Sequence, residues 1–187
     1  DLLPHFMAMC QALAYAHSRA VIHRDVKPEN VMIGQFGETY LLDWGLARVK
    51  GRADPRKEEL KLAPDITGDS LGGAIGTPAY MSPEQARGQV EIIDEKSDVF
   101  GLGAVLYEIV GGRPPYLGPS PAEVVDRVRQ GPPDPVLRLE PQAPRELVDI
   151  IERAMSRAPE DRYASADALA RDVEAWRAGR RVSAHAY

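Results

Sequence analysis

Three polar side chains lie close together in one short stretch with apolar ends, residues 22–33 (IHRDVKPENVMI). Asp25 is followed by Lys27 two positions later and by Asn30 five positions later, and a second carboxylate, Asp43, lies 18 residues beyond Asp25. Carboxylate and amide oxygens are ligands for Mg²⁺, and a lysine ammonium can neutralise a phosphoryl oxygen. Taken singly, each of these side chains is more typical of a solvated loop. Brought together, they would form a site for a divalent cation and a phosphate.

A short hairpin is the element that would bring these groups together. Two β-rich runs, NVMIG at 30–34 and TYLLD at 39–43, flank Gly34 and Gly37, which is typical of two strands joined by a tight turn. Because a hairpin brings its two ends together, we expect the three oxygen-bearing side chains to meet at its open end.

Helical patterns account for most of the rest of the chain. Over residues 2–17 the positions of one helical face recur at Leu2, Phe6, Met9 or Cys10, Leu13 and His17. Further helical signals lie at 97–111, 120–130, 144–157 and 165–177. Ser120 and Ser165 are placed as N-caps of two of these helices. The sequence therefore predicts a mainly α (α+β) fold, a helical bundle with one small β-hairpin.

Two stretches lack periodicity. Residues 44–76 are rich in charged residues, Gly and Pro, which predicts a long mobile segment rather than a packed element. The last stretch, AGRRVSAHAY at 178–187, is expected to be a tail or the start of a linker. We accordingly expect one domain over 1–178, followed by a tail or linker over 179–187.

Composition limits the classes of protein that fit. A chain of 187 residues with 44% hydrophobic and 27% charged residues is expected to fold as one globular domain. A net charge of -5 argues against a broad nucleic-acid-binding face. The single cysteine, Cys10, excludes an internal disulfide and favours core packing in a reducing cytoplasm. No secretory leader is expected, and the most apolar run, at 99–110, is too short to cross a bilayer, although a longer protein could still be membrane-anchored.

Five motifs closely resemble those of the protein kinase family. They are HRDVKPEN at 23–30, DWG at 43–45, GTPAYMSPE at 76–84, KSDVFGLGAVLYEI at 96–109 and PEDRY at 159–163. They occur in the order that the family has and span nearly the whole chain. The resemblance implies the C-terminal catalytic lobe of a bacterial-type serine/threonine protein kinase, with the hairpin carrying the catalytic loop and with a long activation segment.

The resemblance implies a role for each member of the cluster. Asp25 resembles the catalytic base that accepts the proton of the attacking hydroxyl. Asn30 and Asp43 resemble the ligands of Mg²⁺ (or Mn²⁺), and Lys27 resembles the residue that stabilises the γ-phosphoryl group of ATP. Met32 would contact the nucleotide.

Substrate and regulation follow from neighbouring residues of the same motifs. Lys27 together with Thr77 is the pattern of serine/threonine kinases, so the expected partners are proteins with Ser or Thr acceptors. Arg24, directly before Asp25, resembles the arginine of kinases regulated by loop phosphorylation, because it can bind a phosphate and order the loop. Thr67 and Ser70 are the candidate acceptors, although both could be plain loop residues.

Supporting roles are implied as well. His23 and Trp44 resemble the residues packed at the metal-binding motif, where Trp44 replaces the usual Phe and its indole N–H needs a partner if buried. Asp98 resembles the buried Asp that holds the catalytic-loop backbone, and Glu84 with Arg162 the ion pair that ties the activation segment to the lobe. Three other histidines have no motif context and are assigned no function: His5, His17 and His185.

One departure from the family is large. No glycine-rich phosphate-covering loop and no lysine-bearing strand precede the catalytic loop, and GLGAVL at 101–106 is part of the helical pattern instead. The N-terminal lobe is therefore missing from these residues, so we expect weak ATP binding, slow phosphotransfer and an apolar face that invites self-association. Two alternatives stay open. One is a pseudokinase or scaffold lobe, and the other a small-molecule kinase such as the aminoglycoside phosphotransferases, which lack the GTPAYMSPE segment.

Overall fold

The structure is a computed structural model that describes residues 1–54, 57 and 78–187. The helices in these ranges are α1 Leu3–Ser18, α2 Pro83–Ala86, α3 Glu95–Gly111, α4 Pro121–Gln130, α5 Val136–Leu139, α6 Arg145–Ala154 and α7 Ala166–Arg177. The strands are β1 Val21–Ile22, β2 Val31–Ile33, β3 Thr39–Leu41 and β4 Arg48–Val49. Single 3₁₀ turns cover Pro28–Asn30, Trp44–Leu46, Pro78–Tyr80, Val90–Ile92 and Pro159–Asp161. The predicted mainly α fold is confirmed.

The central element is α3, whose residues from Ser97 to Tyr107 are all buried. Helices α1, α5, α6 and α7 pack around it. Two glycines allow the closest approaches: a Cβ on Gly101 would lie 2.9 Å from Val26 Cβ, and one on Gly103 would lie 2.8 Å from Ala154 Cβ. The helix predicted from the signal at 97–111 is therefore confirmed, and it is buried in the core. In the described ranges, no helix has both the length and the hydrophobicity that crossing a membrane requires.

Helix α1 follows the predicted periodicity. Phe6, Met9, Cys10 and Leu13 are buried on the face that meets the core. Pro4 lies in the first turn, where the missing N–H costs no hydrogen bond. Burial raises the pKa of the Cys10 thiol, against the effect of a backbone hydrogen bond. Cys10 is therefore an unreactive packing residue.

The predicted N-caps are also confirmed. The Glu123 amide donates to Ser120 Oγ at 3.3 Å at the start of α4. The Ala168 amide donates to Ser165 Oγ at 3.1 Å at the start of α7. Each cap satisfies an amide that has no partner within its own helix, which explains why these two helices begin where the sequence indicates.

The predicted hairpin is formed by β2 and β3. The strands are antiparallel, with Val31 opposite Leu41 and Met32 opposite Tyr40. Val31 and Leu41 pack against the core, whereas Met32 and Tyr40 lie on the open face. The hairpin is therefore attached to the helical core by one face, and its open end lies between Asn30 and Asp43.

The sequence predicted a long loop over residues 44–76. That prediction is wrong at its start, where the chain forms a 3₁₀ turn and a short strand. Residues Trp44–Leu46 form a 3₁₀ turn, and β4 pairs with β1 in an antiparallel ladder. The Lys50 amide then donates to the Ala20 carbonyl at 2.8 Å. Strands of two residues have no detectable period, so this pairing left no signal in the sequence.

The last residues also differ from the prediction of a tail or linker. Val182 is only 3% exposed and packs in the core. The Ser183 amide donates to Asp172 Oδ1 at 2.8 Å, and the Ser183 hydroxyl donates to Asp172 Oδ2 at 2.7 Å. The segment over 179–187 is therefore held against α7 rather than extending away from it.

Asp172 on α7 is the anchor of this segment. Besides Ser183, the Ala184 amide and the Tyr163 hydroxyl donate to Asp172 Oδ2, at 3.1 and 2.8 Å. Burial alone would raise the pKa of Asp172, but these donated hydrogen bonds outweigh burial, and the pKa is lowered. The ionised carboxylate is thus the stable form in the folded chain.

We expect Asp172→Ala to lower the free energy of unfolding by about 3 kcal/mol, because it leaves several donors without their acceptor. The measurement is the urea denaturation midpoint at pH 7. Asp167→Ala on the same helix is the matched control, since Asp167 pairs with Arg171 at an exposed position and its loss costs less than about 1 kcal/mol. Equal effects of the two substitutions would contradict the assignment of Asp172 as the anchor.

Candidate active site

The backbone of residues 23 and 24 is held by one buried carboxylate. Asp98, in the first turn of α3, is 1% exposed. The His23 amide donates to Asp98 Oδ2 and the Arg24 amide donates to Asp98 Oδ1, both at 2.8 Å. Arg24 has a φ of 68°, a left-handed conformation that costs a non-glycine residue energy. The two hydrogen bonds stabilise this turn immediately before Asp25.

Asp25 is the meeting point of the polar cluster. Lys27 Nζ lies 2.8 Å from Asp25 Oδ2, and Asn30 Nδ2 donates to the same oxygen at 3.0 Å. Asn30 Nδ2 also donates to the Asp25 carbonyl at 2.8 Å. A 3₁₀ turn that starts at Pro28 makes this possible, because it turns the chain back so that Asn30 lies beside Asp25. The structure therefore brings together three of the four groups that the sequence singled out.

Asp43 lies at the open end of the hairpin, next to the residue that contacts Asn30. The Leu42 amide donates to the Asn30 carbonyl at 2.7 Å. Asp43 has a φ of 56°, and its Oδ1 accepts a hydrogen bond from the Gly45 amide at 3.2 Å. Its side chain is exposed. The second carboxylate is thus available to a ligand at the edge of the cluster.

The donor set fits a divalent cation that is only partly coordinated by protein. The amide nitrogen of Asn30 is engaged with Asp25, which leaves the Asn30 amide oxygen as the atom that can act as a ligand. Asp43 supplies a carboxylate nearby. In the part of the chain that the structure describes, no cluster of three or more His, Cys, Asp or Glu side chains could form a full metal cage. Mg²⁺ is commonly held by one or two protein oxygens, with phosphate oxygens and water completing its shell.

The His23 and Trp44 rings pack together next to the residues that precede Asp43. The Asp25 amide donates to His23 Nδ1 at 3.2 Å, so His23 Nε2 carries the proton and donates to the Leu42 carbonyl at 3.0 Å. The His23 and Trp44 rings meet edge to face at 4.5 Å between centroids. The Trp44 indole N–H donates to the Leu41 carbonyl at 3.1 Å. Trp44 is 39% exposed, so its indole is satisfied without full burial.

Arg24 points away from the cluster, towards the segment after the hairpin. Its Nε donates to the Leu46 carbonyl at 2.6 Å, and its guanidinium forms an ion pair with Asp54. Three sequence-predicted residues of the segment, Thr67, Ser70 and Thr77, lie outside the described residues.

Glu84 and Arg162 form a buried two-point ion pair. Arg162 donates to Glu84 Oε1 at 2.7 Å and to Glu84 Oε2 at 2.8 Å, and the Ser97 hydroxyl donates to Glu84 Oε1 at 2.7 Å. Burial alone would raise the pKa of Glu84, but the hydrogen bonds and charge of Arg162, with Ser97, outweigh burial and lower the pKa. The pair joins the start of α2 to the residues that precede α7.

Sequence reasoning missed two contributors to the site. His17 Nε2 lies 2.8 Å from Asp98 Oδ2, so His17 supports the carboxylate that holds the backbone of residues 23 and 24. Its signal was its place in the buried stripe of α1, where a polar side chain needs a partner. Gln85 Nε2 donates to the Arg24 carbonyl at 2.7 Å, and Gln85 also completes a capping box with Ser82. That box is readable from the sequence, but the contact with Arg24 is not.

We expect Arg162→Ala to lower the free energy of unfolding by about 3–5 kcal/mol at pH 7, because it leaves the Glu84 carboxylate buried and unpaired. The folded-state pKa of Glu84 lies below its ordinary value of 4.5. The pair therefore stabilises the chain above pH 4.5 and loses this effect as the pH falls through the folded-state pKa. Urea unfolding of both proteins should show their difference shrinking below that pH.

Arg171→Ala is the control for this prediction, since Arg171 makes only an exposed pair with Asp167. It should cost less than about 1 kcal/mol at any of these pH values. A difference between the parent chain and Arg162→Ala that stays constant from pH 7 to pH 3 would refute the assigned role of Glu84 ionisation.

Comparison with known proteins places these motifs in a family. The protein kinase domain model matches residues 4–173. The serine/threonine-protein kinase PknD of Protochlamydia amoebophila is 38% identical over 188 residues, covering 96% of this chain and 19% of that protein. The serine/threonine-protein kinase PknB of Mycolicibacterium smegmatis is 40% identical over 168 residues, covering 88% of this chain and 24% of that protein.

A probable serine/threonine-protein kinase of Streptomyces coelicolor, SCO3848, is 36% identical over 181 residues, covering 96% of this chain and 25% of that protein. The chain thus spans about a fifth to a quarter of the length of these bacterial relatives. The family resemblance drawn from the five motifs is confirmed, and the chain belongs to the protein kinase family.

Proposed function

We propose that this chain is the catalytic lobe of a serine/threonine protein kinase, which transfers the γ-phosphate of Mg²⁺-bound ATP to a Ser or Thr hydroxyl of a protein. The observation that carries the proposal is the convergence of Lys27 and Asn30 on one oxygen of Asp25, with Asp43 at the adjoining hairpin end. A scaffold lobe has no need to hold these four groups together. The names of the relatives agree with this activity.

In the proposed reaction the substrate hydroxyl gives its proton to the Asp25 carboxylate while its oxygen bonds to the γ-phosphorus. The bond from that phosphorus to the bridging oxygen breaks, and ADP leaves. General-base assistance of this kind is typically worth about 10²–10⁴ in rate. Lys27 offsets negative charge on the transferring group as a point charge.

Asp43 and the amide oxygen of Asn30 would hold Mg²⁺ or Mn²⁺. A bound divalent ion supplies charge neutralisation on the phosphate oxygens. The chain contributes the orientation of these two ligands, because the hydrogen bonds of Asn30 to Asp25 and of Asp43 to Gly45 limit how either side chain turns. Thr77 completes the proposed set as the residue that orients Lys27 and Asp25.

The open face of the hairpin is the proposed nucleotide side of the lobe. Met32 and Tyr40 are 49% and 46% exposed, and they lie opposite each other on one face of β2 and β3. Leu42, directly after β3, is 41% exposed. Met32 would pack against the base of ATP, and an N-terminal lobe would cover the remainder. Prepared alone, residues 1–187 should bind ATP weakly and associate through this face. We place the activity in the cytoplasm.

Asp25→Asn should reduce phosphotransfer by about 10²–10⁴-fold, since the amide cannot accept the proton. The protein for this test is the longest reading frame that contains the chain, and the measurement is radiolabel transfer from ATP to protein substrate. Calorimetric Mg·ATP binding should be retained. The control is Asp167→Asn, which changes an exposed carboxylate on α7 and should leave the rate unchanged. Equal rates for Asp25→Asn and the parent would remove Asp25 from its role.

His17→Leu should lower kcat by roughly 10-fold with a small change in KM for ATP, because Asp98 loses a partner and the loop that bears Asp25 is held less rigidly. Steady-state kinetics in the same protein is the measurement. His185→Leu is the control, since His185 lies far along the sequence from His17 and contacts Asp149. A rise in KM with unchanged kcat would indicate that His17 does not act through the catalytic loop.

A further inference from the structure

The side chain of Arg24 is fully engaged within this chain. Its Nη1 donates to Asp54 Oδ2 at 2.5 Å and its Nη2 donates to Asp54 Oδ1 at 3.3 Å, a two-point contact between guanidinium and carboxylate. Its Nε donates to the Leu46 carbonyl. The side chains of Arg24 and Asp54 are 1% and 3% exposed. All three guanidinium nitrogens therefore have a protein acceptor, at the place where the sequence predicted a phosphate on Thr67 or Ser70.

We propose that Asp54 is a positioning residue for the phosphotransfer reaction: its carboxylate takes the place of a phosphorylated side chain, fixes Arg24, and makes this contact independent of phosphorylation at Thr67 or Ser70. The proposal rests on the proposed function. It names a residue that none of the five motifs contains, and it assigns that residue to the same site.

The contacts of Arg24 show how Asp54 acts on Asp25. The backbone of Arg24 is held on both sides, because its amide donates to Asp98 and its carbonyl accepts from Gln85. Its side chain is held by Asp54 and Leu46. Since Arg24 directly precedes Asp25 in a left-handed turn, a change in the position of the Arg24 side chain is passed on to the turn that presents the catalytic carboxylate.

The same contact orders the segment after Asp43. Leu46 closes the 3₁₀ turn that begins at Trp44, and β4 follows it. Arg24 contacts this stretch on both sides of β4, at Leu46 and at Asp54. β4 between them is paired with β1. One guanidinium therefore joins two points of the segment to the catalytic loop, which is the mechanical task that a bound phosphate performs in a regulated loop.

The ion pair is formed while the catalytic groups are assembled. Lys27 and Asn30 both contact Asp25, and the His23 and Trp44 rings contact each other edge to face. This favours Asp54 as a substitute for phosphate over Asp54 as an inhibitory lock. A phosphate that approached Arg24 would have to displace a buried carboxylate and lie beside it, and like charges at that distance repel.

The experiment uses the longest reading frame that contains the chain, in four forms: parent, Asp54→Asn, Asp54→Glu, and the double variant Thr67→Ala with Ser70→Ala. Each form is measured without and with phosphatase treatment, and the untreated parent is the reference. Asp54→Asn should lower kcat at least 10-fold with KM for ATP changed less than threefold. Asp54→Glu should restore part of the rate, since it keeps the charge. The double variant and the phosphatase-treated parent should retain kcat within twofold. Melting temperatures establish that each form is folded.

Hydrogen exchange provides a readout that does not require activity. Backbone amides of residues 46–50 should exchange faster in Asp54→Asn than in the parent, and at the parent rate in the double variant. Unchanged exchange and unchanged kcat in Asp54→Asn would overturn the proposal. So would loss of kcat in the double variant or after phosphatase treatment. If no form transfers phosphate, the proposed function fails, and the exchange comparison still decides whether Asp54 orders the segment.

Discussion

The buried carboxylate of Asp98 connects the central helix to the backbone of residues 23 and 24, and the position of Asp25 depends on these hydrogen bonds. Each oxygen of Asp98 accepts a backbone amide, and His17 adds a third contact. A carboxylate in the first turn of a helix is favoured by the helix dipole. A buried carboxylate that loses its donors is strongly disfavoured. The loop that carries Asp25 therefore cannot separate from α3 without leaving this buried charge unpaired.

The hydrogen bonds to Asp98 matter because the backbone is strained on both sides of the site. Arg24 and Asp43 have left-handed φ values of 68° and 56°, and such conformations cost a non-glycine residue on the order of 1–3 kcal/mol. Both residues are held by hydrogen bonds at this point, Arg24 through Asp98 and Gln85, and Asp43 through Gly45. These left-handed residues turn the chain immediately before Asp25 and shortly after β3, the two stretches that carry the polar side chains.

Sequence reasoning succeeded where the cause is local. The hairpin, the two serine caps and the buried central helix depend on residues within a few positions of one another, and alternation, cap residues and periodicity report such causes directly. The contacts of Lys27 and Asn30 with Asp25 also have a local cause, because the 3₁₀ turn over Pro28–Asn30 turns the chain back within five residues. The hairpin contributes the position of Asp43, one residue after the Leu42 amide that donates to the Asn30 carbonyl. The kinase motifs then indicated which chemistry the cluster supports.

The rest depended on partners distant in sequence. The two residues of β4 have no period of their own and are ordered only by β1, across a gap of 25 residues between Ile22 and Arg48, so composition predicted a loop. The last segment carries one buried apolar residue, Val182, and is held instead by Asp172. His17 is one of three histidines without motif context, and only the fold distinguishes it by placing Asp98 beside it.

The charged side chains of the site fall into a buried group and a more exposed group, and the two groups differ in what completes their hydrogen bonds. Asp98 and Glu84 are 1% and 2% exposed, and each meets donors that the chain itself supplies, so the cost of removing them from water is offset permanently. Asp43 is exposed and the side chain of Lys27 is 14% exposed. Both groups are therefore accessible to the metal ion and phosphate that we propose they bind. The carboxylates of Asp98 and Glu84 thus hold elements of the fold together, whereas that of Asp43 is open to a ligand. The difference is whether the chain or the solvent completes the hydrogen bonds of the carboxylate.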